Sequence, residues 1–288
     1  MLPAAEKKVY NAHRQTHRQM AETTETGGTT ADEPAGTAPL DDSEMPLADH
    51  IEEMVKRLGI VIVAMGVVSG IVFPFADELI NFIWYAFLPG SPTACPVAAD
   101  QASAACPYVY DPLALVLARL KAASLAGFVV ALPLFVYQTY RFMRPGLYHK
   151  ERRYYLAAVP TSLVFAMIGV AFAFFLVLPV MFNYFLGYSK PVAEIAFGLG
   201  DTFGLMTLLM GFFALVFQIP LFVMLAIMMG ITTRAWLTSR RLYFWGGFAG
   251  VAFLFSPDPT GMAPIIVAAT MIGLFEGTLL LLRWTGRG

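Results

Sequence analysis

Six stretches of this chain are free of charged side chains, or nearly so: 58–75, 122–140, 154–189, 202–233, 242–257 and 259–282, the last interrupted only by Glu276. Nothing constrains the fold more, because about 20 helical residues cross a bilayer core about 30 Å thick and most of these windows approach or exceed that length. The composition agrees. Hydrophobic residues make up 58% and charged residues 14%, against roughly 25% charged in a typical soluble domain, so lipid must cover much of the surface. We therefore expect an all-α membrane protein with six transmembrane helices. Windows three and four are long enough to tilt or to run past the lipid, with kinks at Pro160, Pro179 and Pro220. The fifth, at roughly 24 Å of helix, is short and reaches the sixth through Ser256-Pro257-Asp258-Pro259-Thr260-Gly261.

Residues 1–44 have a different character. They hold four Lys/Arg against eight Asp/Glu, whereas the remainder holds fifteen against twelve, and the Thr-rich run 23–30 has no helical or strand period. A disordered cytoplasmic tail is expected there, followed by a single transmembrane domain over 45–288. The tail lacks the basic start and apolar core of a secretory signal, and Met45, just ahead of Pro46, is an alternative start. Lys56 and Arg57, five Lys/Arg in 141–153, three in 230–241, and Arg283 with Arg287 flank one set of window ends, against Lys190 in the loops of the other set, with Arg119 and Lys121 at the outer edge of window two. The positive-inside rule then places both termini in the cytoplasm. No basic face with interleaved aromatics occurs, which argues against a nucleic-acid partner.

The two cysteines, Cys95 and Cys106, lie in the loop after window one, on the exterior side by this topology. They either pair as a disulfide, closing a loop worth about 3 kcal/mol in the chain-entropy model, or remain free thiols. Their spacing is not that of a redox pair, no His cluster completes a metal site, and no cofactor motif occurs. No nucleophile with its base and no phosphate-cradling loop is present either, so an enzyme is not expected.

Attention therefore moves to polar groups near or within the windows. In His50-Ile51-Glu52-Glu53-Met54-Val55-Lys56-Arg57-Leu58, helical spacing puts Ile51, Met54, Val55 and Leu58 on one stripe and His50, Glu53 and Arg57 on another. Glu53 and Arg57 either form an i,i+4 pair or leave a carboxylate for a cationic ligand. Glu151, the single acid among five bases in 141–153, either neutralises its neighbours or does the same. Glu276 is costly at membrane depth unless it faces protein or water or snorkels. Gln218, beside Pro220, bonds a partner helix or bonds internally. Arg119 and Lys121, at the outer half of window two, should reach the exterior surface or Asp111.

These residues resemble the TatC family, the multispanning receptor component of the twin-arginine protein translocase. The pre-helix 50–58 is similar to HLxELRxRL, and Phe142-Met-Arg-Pro145-Gly146-Leu147-Tyr-His-Lys-Glu151-Arg152-Arg153 to FxxPGLxxxERR. The turn 256–259 is similar to a TPDP-type turn, and Leu274-Phe275-Glu276 to the LFE of the last helix. The resemblance implies a cup-shaped six-helix bundle with two short final helices and both termini inside. Its function would be to bind Arg-Arg signal peptides of folded precursors for export driven by the proton gradient. It implies that Glu53 and Glu151 contact the arginines and that Lys56, Arg57, Phe142 and Pro145 belong to the recognition surface. Gln218 would meet single-span subunits of the TatA/TatB type, Glu276 would be the acid of the sixth helix, and the receptor complex would be a homo-oligomer. Three positions depart from the pattern: Val55 stands where the family has Arg, Gln218 where many members have Glu, and Met262 where a polar residue is common. The competing readings are a proton-coupled small-molecule secondary transporter, with Glu276 in the ion path, and an inert scaffold. Against the transporter, the windows show no inverted repeat.

Overall fold

The computed structural model describes residues 47–88, 106–143, 149–189, 197–255 and 261–284, with the backbone alone at 47–50, 149–151, 189 and 255. The expected tail and its boundary at residue 44 lie outside these residues, as do Cys95, Pro145 and the turn 256–260. The described residues belong to one compact unit, Pro39–Gly288. They are almost entirely helical, as lipid requires, because an unpaired backbone N–H or C=O in hydrocarbon costs several kcal/mol. Among them, the one β-type contact is an isolated bridge between Tyr108 and Gly198. It ties the segment ahead of one long helix to the segment ahead of another.

The first window is the middle of a longer helix. Helix α1 (Leu47–Val72) continues through a single 3-10 turn at Phe73–Phe75 into α2 (Ala76–Phe87). Pro74 lies in that turn, where the missing N–H costs least. Helix α3 (Ala114–Met143) follows and keeps Pro133 inside it. Helix α4 (His149–Phe172) likewise absorbs Pro160 without a break, then passes through a π turn at Ala173–Val177 into α5 (Leu178–Ser189). Pro179 sits directly after that turn, so the wider backbone coil falls where the ladder has lost a donor. Helix α6 (Leu199–Val216) gives way at Phe217-Gln218 to α7 (Ile219–Met228), which has Pro220 in its first turn. Of the three expected kinks, Pro179 and Pro220 therefore mark departures from regular helix, and Pro160 lies in continuous α-helix.

Helix α8 (Arg234–Ser239) is capped by the Thr233 hydroxyl, which accepts from the Trp236 N–H, and leads into α9 (Arg241–Phe255) and α10 (Met262–Trp284). Among the described residues, five helical stretches are long and apolar enough to cross a membrane: 51–87, 114–143, 152–188, 199–228 and 262–284. The fifth window forms α9, whose 15 residues extend only about 22 Å. The expectation of two short final helices needs correction, because α10 has 23 residues, about 35 Å.

The bundle is built around α3, which contacts α1, α2, α4 and α6, while α10 packs on α7 and α9. Trp84, Phe203, Phe213 and Phe275 are fully buried, and Phe172 packs on Phe213 and Phe217 at ring distances of 5.4 and 5.3 Å. Ile62, Val63, Val67 and Ile71 of α1 are exposed, as suits a face turned to lipid.

Two glycines set how closely the helices approach. A Cβ on Gly127 would lie 2.7 Å from the Met65 carbonyl oxygen, and one on Gly169 would lie 2.4 Å from that of Phe213. Small residues at such crossings let van der Waals packing hold helices that gain no hydrophobic energy in lipid. The obstacle at Gly169 is backbone, which cannot rotate away. Gly169→Ala should therefore force α4 off α6 and destabilise the fold by about 1–3 kcal/mol, seen as a lower midpoint of thermal unfolding in detergent. Gly66→Ala, with open space around it, should leave the midpoint unchanged.

Candidate recognition pocket and the helix contacts around it

The end of the bundle where α3 meets the first turns of α1 carries a polar pocket. Its walls are Glu52, Glu53, Lys56, Arg57 and Ile60 from α1 and Gln138 and Arg141 from α3, around a cavity of about 430 Å³. Helical spacing explains the set, since 53, 57 and 60 recur along one face of α1 and 138 and 141 along one face of α3. The apolar stripe of α1 turns the other way, with Ile51, Met54, Val55 and Leu58 all about half exposed or more. Val55, one of the three departures from the motif, is thus on the outward face, away from the pocket wall.

Glu53 and Arg57 form the i,i+4 pair. The Arg57 Nε donates to Glu53 Oε1 at 3.1 Å, and Nη2 donates to the same oxygen. Among the described residues no such pair joins Glu52 to Lys56. One oxygen of Glu53 is thus already engaged, and a cationic ligand must use Oε2 or displace Arg57. Gln138 is 6% exposed, and its Oε1 has no hydrogen-bond partner. Sequence reasoning missed Gln138: it stands one turn before Arg141 at the end of an apolar run, and nothing in that spacing shows that its oxygen lacks a partner.

The end of α3 is fixed against the start of α4. Tyr155 is buried on Tyr140, with ring centres 5.6 Å apart, and its hydroxyl lies 3.9 Å from the Met143 sulfur. Phe142 is half-buried in the last turn of α3. Glu151 lies one turn before Tyr155, in the first turn of α4 and at the same end of the bundle as the pocket; its side chain is outside the description, as is Pro145.

The remaining polar groups tie helices together. Gln218 is 1% exposed, and its Nε2 donates to the Ser162 and Ala214 carbonyl oxygens at 3.1 and 3.2 Å. This internal bond links the α6–α7 break to α4. Glu276 accepts a hydrogen bond from the Trp245 Nε1 at 3.0 Å, joining α10 to α9, and Phe244 and Phe275 pack beside it at 5.1 Å. Arg119 does not turn to Asp111: it makes a bidentate pair with Asp77 of α2, both distances 2.7 Å. The correction follows from α2 being a helix packed on α3 where the sequence suggested a loop. Lys121 donates to the Gly200 carbonyl oxygen at 3.1 Å. Cys106 is not a free thiol; its expected partner lies outside the described residues.

A family model described as Sec-independent protein translocase protein (TatC) matches residues 49–269. The chain belongs to the TatC family. It is 55% identical over 271 residues to the Sec-independent protein translocase protein TatCo of Haloferax volcanii, a match that covers 87% of this chain and 60% of that relative. The chain thus spans less than two thirds of that relative's length. The TatC protein of Methanocella arvoryzae is 35% identical over 250 residues, covering 85% of this chain and 97% of its own. A crystal structure titled Twin Arginine Translocase Receptor- TatC superposes with a TM-score of 0.66 at 24% identity, over 82% of this chain and 98% of that one. The same fold on both sides, together with the five apolar helices, makes this an integral membrane protein related to components of a protein translocase.

The clamp between α9 and α10 makes a testable claim. Trp245→Phe keeps the ring but removes the donor to Glu276, and should cost about 1–2 kcal/mol of stability. Glu276→Gln keeps an acceptor and should cost less. Unfolding midpoints of the two variants in detergent check the order.

Proposed function

We propose that this protein is the membrane receptor and assembly platform of a twin-arginine translocation system. It would bind the Arg-Arg signal peptides of folded precursors and pass them into export driven by the proton gradient. The observation that carries the reading is the polar pocket between α1 and α3, where a TatC-family chain sets Glu52 and Glu53 at the end of the bundle where Glu151 begins α4. The chemistry suits such a ligand, because carboxylates at a half-buried site accept the forked N–H groups of a guanidinium bidentately and an ammonium cannot match that geometry.

In the same reading the chain crosses the plasma membrane six times, α9 being the short fifth crossing, with both termini in the cytoplasm. Lys56, Arg57, Phe142 and Pro145 complete the recognition surface around Glu53 and Glu151. Single-span subunits of the TatA/TatB type and further copies of this chain assemble on it, with Gln218 and Glu276 as its intramembrane polar positions. The protein acts by binding and assembly, with no covalent step. Cys95 and Cys106 pair on the exterior side, where oxidising conditions let a disulfide persist.

Two experiments test this. Photoprobes flanking Glu53 and Glu151, in membranes, should crosslink an Arg-Arg signal peptide in preference to its Lys-Lys counterpart, with at least a ten-fold loss in Glu53→Ala or Glu151→Ala. Equal labelling by both peptides in the parent protein counts against the reading. Maleimide added to intact cells should label Cys95 and Cys106 only after reduction; labelling without reduction would exclude the disulfide.

A further inference from the structure

Resting on the reading of the pocket as an arginine-recognition site, we infer that Gln138 is a binding residue of that site: its Oε1 is the neutral acceptor that takes a ligand guanidinium N–H and separates arginine from lysine. The observation is an unsatisfied group in a lined cavity. Gln138 is 6% exposed, its Oε1 has no partner, and it lines the pocket with Glu52, Glu53, Lys56, Arg57 and Arg141. A buried carbonyl oxygen without a donor bears its full desolvation penalty, so a pocket that keeps one open is suited to a ligand that brings the donor.

The charge balance of the pocket says which donor. Two carboxylates face three cations among the described lining residues, and one oxygen of Glu53 already holds Arg57. An anion would answer the cations but gives no proton to Oε1. A compact ammonium brings a localised charge toward Lys56, Arg57 and Arg141, with its hydration shell hard to remove. A guanidinium is more weakly hydrated and carries five N–H groups in a planar fork, enough to bond a carboxylate on one edge and an amide oxygen on the other. A third acid in place of Gln138 would serve the ligand as well, but it would leave one more buried charge whenever the pocket is empty. The amide accepts without that penalty.

The test titrates fluorescent Arg-Arg and Lys-Lys signal peptides against the full chain in detergent, comparing the parent protein with Gln138→Met, Gln138→Glu and Glu53→Ala. The expected result is that Gln138→Met weakens Arg-Arg binding roughly ten-fold, the scale of one hydrogen bond to a charged group. Lys-Lys binding should be unchanged, so the preference for arginine shrinks by the same factor. Gln138→Glu, which restores an acceptor, should recover it. Full arginine preference in Gln138→Met alongside its loss in Glu53→Ala would overturn the role of Gln138 and leave the carboxylate reading standing. Loss in Gln138→Met with none in Glu53→Ala would support Gln138 and count against that carboxylate. No arginine preference in the parent protein would overturn both. Should Gln138→Met fail to fold, Gln138→Asn, which keeps the amide but draws it back by one methylene, gives the same comparison.

Discussion

Backbone hydrogen bonding in a medium without water governs this molecule. A residue that leaves the helical ladder inside lipid strands a donor or an acceptor, and hydrocarbon offers no substitute. The described residues obey this almost throughout, and the exceptions are repaired locally. The coil widens into a π turn just ahead of Pro179, and at Phe217-Gln218 the Gln218 side chain donates to the carbonyl oxygens of Ser162 and Ala214. A polar side chain in a buried apolar setting is thereby spent on holding a helix break against its neighbour.

The same economy of polar groups explains the joints between helices. Helices immersed in lipid are not driven together by hydrophobicity, so close packing and a few directed bonds must serve. Gly127 and Gly169 bring backbones together, Arg119 binds Asp77 across α2 and α3, and Trp245 binds Glu276 across α9 and α10. Not every polar atom is used in this way: Gln218 Oε1 and the Thr232 hydroxyl are buried without a partner, and so is one atom in the pocket at the end of α3. There a glutamine oxygen goes without a partner, beside a carboxylate already shared with an arginine of its own helix. Of these atoms only Gln138 Oε1 lines the polar pocket, and in the proposed reading a ligand supplies its missing donor.

Much of the architecture was legible from charge alone. Uncharged windows identify membrane helices because burying a charge in lipid is costly, and all six windows coincide with helices described here, apart from residues at their ends and the break at Phe217-Gln218 inside the fourth. Helix ends were less legible. The first window stops where Asp77 and Glu78 begin, yet the helix runs on to Phe87, since Asp77 is neutralised by Arg119 from a helix 42 residues away in sequence. The shortness assigned to both final helices held for α9, with 15 residues, and failed for α10, whose apolar run carries the helix on to Trp284. For the site, Glu53 and Arg57 were visible through their four-residue spacing, and Gln138 was not. Its importance lies in having no partner, a property of its surroundings and not of its neighbours in sequence.

The sequence by itself determined that this chain lives in a membrane, where its apolar helices lie, and, through the motifs at 50–58 and 142–153, the family to which it belongs. These follow from composition and local spacing, both properties of the linear chain. Tertiary structure alone decided which polar groups meet: Gln218 with Ser162, Trp245 with Glu276, Arg119 with Asp77, and Gln138 with the acids of α1 around one cavity. The reason is physical. Whether a buried polar atom is satisfied depends on what another helix brings within about 3 Å of it, and helices that pack together need not be near one another in the chain.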